Sequence, residues 1–254
     1  MADHIRVERD DAVLRITLDR PDRLNAAPPA MFDEIRAALH DLDGARAVLF
    51  SGAGRAFCSG ADIAGVDGTL DPAAALTYHY NPTLAAIADL SVPVISAVRG
   101  PAAGIGCSLA LAADFCVAAD DAYFLQAFVN IGLVPDGGAS WMLPRLIGRA
   151  RATRMMLLGE RVPAATALEW GMIHTVTDGA ALDDEALALA RRLAAGPTIA
   201  LGLMRRNLAF ALDHEYAATM AREAAAQRTA RDTADAVEGG MAFLGKRPPV
   251  FRGA

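Results

Sequence analysis

Cysteine is scarce in this 254-residue sequence: Cys58, Cys107 and Cys116 are the only three, and none stands in Cys-x-x-Cys spacing. An odd, unspaced set excludes a disulfide framework and leaves buried free thiols in a reducing compartment as the expected state. The five histidines are scattered, and no two stand at ligand spacing, so no metal site is expected. There is no Gly-x-Ser-x-Gly elbow for a serine hydrolase and no Gly-Lys-Ser/Thr for a P-loop. No apolar run approaches the roughly 20 residues of a membrane span. The opening stretch, Met1-Ala-Asp-His-Ile-Arg-Val-Glu8, lacks an apolar signal core, so a cytoplasmic protein without a membrane partner is expected. Positive charge is also short, with Lys+Arg 24 against Asp+Glu 30, a net charge of −6 and no lysine-rich face. That balance argues against nucleic acid as a partner.

What is present is apolar residues, 54% of the chain, much of it alanine in helical stretches. The length suits one large α/β domain with a substantial core. Strands are predicted over 5–8, 13–18, 47–51, 94–98 and 115–118, and helices over 28–42, 71–90 and 104–112. The regular strand–loop–helix alternation excludes an all-α or all-β fold. Beyond Pro163 the pattern turns helical, with helices over 164–170 and 182–195 and several more between 198 and 244. We therefore expect a core over residues 1–176 and a helical region over 177–254, with no low-complexity linker between them.

Two glycine-rich loops follow β-branched runs: Ser51-Gly-Ala-Gly-Arg-Ala-Phe-Cys-Ser-Gly-Ala-Asp62 and Arg99-Gly-Pro-Ala-Ala-Gly-Ile-Gly-Cys107. Glycines at a strand exit let backbone N–H groups point outward. Two such loops face to face would hold one oxygen between two amides, an oxyanion hole. Each loop taken alone is equally a tight turn. A dinucleotide fingerprint fails at its third glycine, where Phe57 stands.

The strings Ala56-Phe-Cys-Ser-Gly-Ala-Asp-Ile63, Pro93-Val-Ile-Ser-Ala-Val-Arg-Gly100 and Ala103-Gly-Ile-Gly-Cys107 resemble the crotonase (enoyl-CoA hydratase/isomerase) superfamily. The resemblance runs from Val13-Leu-Arg-Ile-Thr-Leu-Asp-Arg-Pro21 through Arg23-Leu-Asn-Ala26 to Gly245-Lys-Arg-Pro248, nearly the whole chain. It implies a spiral of repeated ββα units with a C-terminal helical region that mediates trimer contacts, often paired into a hexamer. It implies an acyl-CoA thioester as substrate, with coenzyme A entering as part of that substrate and no separate cofactor. The oxyanion donors it implies are the amides of Ala61 and Ile105. Arg23, Leu24 and Ala26 are expected along the pantetheine and phosphate arm, and Asp62 and Ile63 beside the adenine through backbone atoms. Phe243 and Lys246 match positions where a neighbouring subunit touches the adenine and 3′-phosphate. Arg23 and Lys246 read equally well as solvated surface charges.

The family's hydratases carry two glutamates that activate water. The corresponding positions here are Ser108 and Phe128. A phenyl ring transfers no proton, and a lone hydroxyl is a poor base. A carboxylate stands instead at Asp136, in Ile131-Gly-Leu-Val-Pro-Asp-Gly-Gly138, where isomerase branches use one. Moving a double bond takes a proton from one carbon and returns it to another, so one mobile carboxylate suffices. A simple turn role remains the alternative for an aspartate between proline and glycine. Tyr80-Asn-Pro82, the stretch from Phe124 to Gly138 and Trp141-Met-Leu-Pro-Arg145 are similar to the ring-1,2-epoxyphenylacetyl-CoA isomerase branch. Ala61, where that branch can carry glutamine, and Ala139, in place of a glycine, depart from it. The expected function is acyl-CoA isomerisation. Hydration or other enolate chemistry, and acyl-CoA binding without turnover, stand as alternatives.

Overall fold

The computed structural model describes residues 4–63 and 71–254. The chain begins with a hairpin of β1 (Ile5–Asp10) and β2 (Val13–Leu18), then α1 (Pro29–His40) and β3 (Ala47–Gly52). A helical run follows: α2 (Pro72–Ala75), a π-helical stretch (Leu76–Tyr80) and α3 (Asn81–Asp89). Next come β4 (Val94–Val98), β5 (Pro101–Ala103) and α4 (Ile105–Leu111), then β6 (Phe115–Ala119), β7 (Tyr123–Leu125), a 3₁₀ turn (Ala127–Ile131) and α5 (Ala139–Leu158). The chain continues through β8 (Val162–Pro163), α6 (Ala164–Glu169), β9 (Thr175–Thr177), α7 (Leu182–Ala194), α8 (Thr198–Ala211), α9 (Tyr216–Arg231) and α10 (Ala234–Leu244).

Six strands form one sheet in the order β1-β2-β3-β4-β6-β9. The β1–β2 pair is antiparallel and the remaining pairs are parallel. A small second sheet has the order β5-β7-β8. The ββα repeat is visible here: β4 and β6 lie in the large sheet, while β5 and β7, the strands that follow them, lie in the small one. The first strand runs two residues past the predicted Glu8, and the chain turns at Asp11, whose φ is +49°. The second sheet escapes sequence prediction because strands of two or three residues are too short to show a period.

Period-2 alternation splits the core across the large sheet. Val48 and Phe50 of β3, Val94 and Val98 of β4, and Cys116 and Ala118 of β6 join the main cluster with α1, α3 and α4. Ala47 and Leu49, Ile95 and Ala97, and Val117 and Ala119 face the other way, onto α7. The contact side of α7 is Leu182, Ala186, Ala190 and Ala194, one residue every four, all buried. Small side chains at this spacing let the helix lie close on the sheet. The helix just beyond the 176/177 division thus packs on the sheet. Ala190→Leu is expected to cost about 1–3 kcal/mol by overpacking this seam. An unchanged urea midpoint with an unchanged slope would show that α7 does not press on the sheet.

Two arginines fasten the helical tail to the core. Arg46, just before β3, donates to Thr198 Oγ1 at 2.7 Å and to the carbonyls of Gly196 at 2.5 Å and Phe251 at 3.2 Å. Arg205 on α8 donates to Asp114 at 2.6 Å and to the carbonyls of Leu90 and Ile87. Farther out, α9 buries no residue, and Leu208, Phe243 and Leu244 are 72%, 84% and 82% exposed. No single described helix is long and apolar enough to cross a membrane; α7 and α8 would pass together by length and composition but are bent by 105°.

Candidate active site

The two glycine loops leave the C-terminal ends of neighbouring parallel strands, β3 and β4, and backbone hydrogen bonds stitch them together. Phe57 N–H donates to Arg99 O at 2.8 Å, Cys58 N–H to Pro101 O at 3.0 Å and Ala103 N–H to Cys58 O at 2.9 Å. Gly104, the residue before α4, has φ +52° and ψ −125°, which only glycine adopts without strain. A Cβ placed on Gly104 would lie 3.9 Å from Gly60 Cα, so the residues preceding Ala61 and Ile105 are neighbours. Gly106 brings the loops closer still. A methyl group there would sit 2.6 Å from both Cβ and O of Cys58.

This stitching spends most of the local amides and spares two. Asp62 N–H donates to Ala27 O at 3.0 Å, and Ala27 N–H to Gly60 O at 2.8 Å. In this parallel bridge Ala61 lies opposite Ala27, and the Ala61 amide makes no hydrogen bond among the described residues. Ile105 is the first residue of α4, where an amide lacks an intrahelical partner, and it too makes none. The loops thus present two unspent donors in adjacent backbone segments.

Asp136 reaches the same place from a different part of the chain. The Ser108 hydroxyl on α4 donates to the Asp136 backbone carbonyl at 3.2 Å. A Cβ built on the next residue, Gly137, would meet Ile105 Cδ1 at 2.6 Å and Ser108 Cβ at 2.8 Å. One carboxylate oxygen of Asp136, Oδ1, is buried and has no hydrogen-bond partner. Burial alone pushes the carboxyl from 3.8 up to about 6. A simple turn aspartate would instead cap a neighbouring amide with its side chain. The hydratase positions hold no acid: Ser108 is fully buried, and the Phe128 ring lies over Gly104, with Cζ 3.4 Å from a Cβ built there.

The residues expected along the coenzyme arm cluster below the first loop. Arg23 ends a 3₁₀ turn (Pro21–Arg23), followed by Leu24 and Asn25 in left-handed conformation. Arg23 donates to Asp62 at 3.0 Å and is half-exposed, so it is an ion-paired rather than a freely solvated charge. Arg20 holds the other Asp62 oxygen at 2.8 Å. Burial pushes the Asp62 carboxyl up, but the hydrogen bonds and charges of Arg20 and Arg23 outweigh it and hold the pKa below the usual range. The Asp62 and Ile63 amides are both spent inside the chain, on Ala27 O and Ala61 O. Ala26 N–H donates to Arg23 O, and the Ile63 side chain is exposed. Phe243 and Lys246 stand apart, at the end of α10, and no hydrogen bond or ion pair ties them to these loops among the described residues.

Three supporting residues escape a reading of the sequence for site residues. Asn25 is fully buried; its amide donates to Ala53 O at 3.0 Å and Ala56 O at 2.8 Å, and its oxygen accepts from Arg20 N–H at 2.8 Å. Arg20 also donates to Ala26 O. The Tyr80 hydroxyl donates to Ala27 O at 2.8 Å, the carbonyl that also accepts from Asp62 N–H. Burial raises the Tyr80 phenol, and the charge of Asp136 raises it further. The three thiols are pushed up to about 12 by burial and stay protonated at neutral pH.

Comparison with known proteins gives the family of the chain. A family model described as enoyl-CoA hydratase/isomerase matches residues 8–254. The chain is 43% identical to a "Probable enoyl-CoA hydratase" of Rhodobacter capsulatus, covering 98% of each sequence. It is 41% identical to the 1,2-epoxyphenylacetyl-CoA isomerase of Escherichia coli K12, covering all of both. Among solved structures, enoyl-CoA hydratase from Bacillus anthracis superposes with a TM-score of 0.93 at 30% identity, covering 99% of this chain and 100% of that one. The α/β fold is thus the crotonase-type fold. The chain belongs to the enoyl-CoA hydratase/isomerase family.

Proposed function

We propose that this protein is an acyl-CoA isomerase in which Asp136 carries the proton. The observation behind this reading is the half-buried Asp136 carboxylate beside Ile105, with Oδ1 buried and unpartnered, at a site whose hydratase positions are Ser108 and Phe128. An acyl-CoA seated with its thioester oxygen between the Ala61 and Ile105 amides has its α-carbon proton removed by the Asp136 carboxylate. The electron pair moves into the thioester, and the two amides stabilise the enolate oxygen. Asp136, now protonated, returns the same proton to the γ-carbon, and the double bond has moved without net gain or loss of atoms. A base with a pKa near 6 is stronger than an ordinary aspartate and still ionised at neutral pH. Similarity to the E. coli isomerase extends the proposal to 1,2-epoxyphenylacetyl-CoA as a substrate class, in phenylacetate or fatty-acid breakdown.

The coenzyme arm runs past Arg23, Leu24, Ala26, Asp62 and Ile63, and a neighbouring subunit supplies Phe243 and Lys246. Lys246 is the only lysine in the sequence. The exposed apolar side chains of α8 and α10 fit burial in a trimer or a hexamer. No separate cofactor is required, and we place the enzyme in the cytoplasm.

Turnover of three thioesters tests the reading: a 3-enoyl-CoA, a 2-enoyl-CoA with water, and an aromatic epoxy-CoA. Isomerisation of the first or third, with hydration slower by about 10²-fold or more, is the expected pattern, since each missing acid–base group costs on that order. Efficient hydration of the 2-enoyl-CoA would overturn it. Failure with every thioester while CoA still binds would leave a binding protein.

A further inference from the structure

At the end of the sheet opposite the glycine loops, a cavity of about 440 Å³ opens between the segments that enter the central strands β3 and β4, the start of α8 and the C-terminal tail. Three arginines line it, Arg46, Arg206 and Arg252, and no aspartate or glutamate does. All the hydrogen-bond partners of Arg46 are neutral: a threonine hydroxyl and two carbonyls. The guanidiniums of Arg206 and Arg252 make no hydrogen bond or ion pair among the described residues. Glu238 feels the charge of Arg252 but is already bidentate with Arg247 at 2.6 and 2.8 Å. Asp235 is likewise occupied, accepting the backbone N–H groups of Arg252 and Gly253.

Uncompensated like charges around one cavity repel one another, and an anion seated among them reverses the sign of that energy. The first turn of α8 adds to the field. Thr198 and Ile199 line the cavity at the helix N-terminus, and Pro197 before them provides no side-chain cap. Arginine forks match phosphate oxygens in pairs, and three cations suit a group carrying more than one negative charge. The volume exceeds a lone phosphate and lies in the range of roughly 300–1,000 Å³ typical of small-molecule sites. Val92 and Ile199 offer apolar wall for an organic portion.

We infer that this cavity binds a small phosphorylated molecule, its phosphate held by Arg206, Arg252 and the first turn of α8, with Arg46 as a fixed charge behind them. The site is separate from the acyl-CoA loops, and the inference does not depend on the isomerase reading. The ligand joins the tail and α8 to the core and therefore stabilises the docking of the helical region.

Calorimetric titration of the full-length protein with inorganic pyrophosphate at low salt tests this. Saturable one-to-one binding is expected, weakened about tenfold or more by each of Arg206→Gln and Arg252→Gln, as for the loss of a charge-assisted hydrogen bond. Both side chains are exposed and each substitution removes one of the mutually repelling charges, so without ligand the variants should melt at or slightly above the parent. A repeat in saturating CoA separates the two sources of phosphate. Competition that vanishes in the arginine variants identifies CoA's own phosphates as an occupant, and undiminished binding identifies a different phosphate ester. No saturable binding, or binding indifferent to both substitutions, would overturn the proposal.

Discussion

Asp136→Asn is expected to lower isomerase turnover by about 10²–10⁴-fold while leaving KM for the acyl-CoA nearly unchanged. Asparagine keeps the shape and sits in the same half-buried place, but it takes up no proton. The parent should also lose activity as pH falls through about 6, because only the ionised carboxylate abstracts a proton. That acid limb should disappear from what activity the variant keeps. Stability should move the other way. The folded-state pKa lies above the ordinary 3.8, so the native protein holds this proton more tightly than the unfolded chain does. The resulting stabilisation is complete below about pH 4 and is lost as pH rises through about 6. Above that pH the parent carries a partly desolvated charge, one oxygen of it buried without a partner, that the asparagine variant lacks. The variant should therefore melt higher than the parent at pH 7.5, and the difference should close towards pH 4. Full turnover in Asp136→Asn would place the base elsewhere; a lower melting temperature at pH 7.5 would mean that the carboxylate has a partner after all.

Gly106→Ala should be the more damaging of the conservative changes. Alanine is the better helix former by about 1 kcal/mol, and Gly106 lies inside α4 with an ordinary helical φ. Its methyl would nonetheless need the space held by the Cβ and carbonyl oxygen of Cys58. Because Cys58 is backbone-paired to Pro101 and Ala103, the clash has to push one glycine loop away from the other. A displacement on the order of 1 Å at the oxyanion donors costs roughly 10²-fold in rate. We expect that loss in kcat, with a stability cost of about 1–3 kcal/mol on top. Wild-type kcat in a folded Gly106→Ala protein would show that the two amides do not act as a pair.

Gly106 also marks the boundary of what the sequence reveals. Gly240 is another helical glycine, yet a methyl there meets nothing within 4 Å inside the chain. Nothing local separates the two, because the difference is made by Cys58, a residue 48 positions away. Five of the six strands of the large sheet were legible to within two residues, helped by continuous buried runs such as Val94-Ile-Ser-Ala-Val98, whereas β9, three residues inside a stretch read as helical, was missed. The second sheet was not legible, and neither was α5, which holds Pro144 and breaks at Gly148 with φ +77° and ψ +158°. In the site, the family resemblance pointed to Ala61, Ile105 and Asp136. The partners that fix them were invisible: Asn25 acts across 28 and 31 positions and Tyr80 across 53. Long-range hydrogen bonds of this kind leave no periodic trace in a chain.

The two loops and Asp136 are held by independent means. The loops are joined to each other through backbone groups that substitution hardly touches, whereas the Asp136 segment meets α4 through one serine hydroxyl and a glycine contact. Under the proposed function, the part that grips the thioester is therefore conservative by construction, and the part that directs the proton is interchangeable. A lineage built on such a frame can acquire a new reaction by exchanging one or two side chains at positions such as 108, 128 and 136, without rebuilding the means of gripping its substrate.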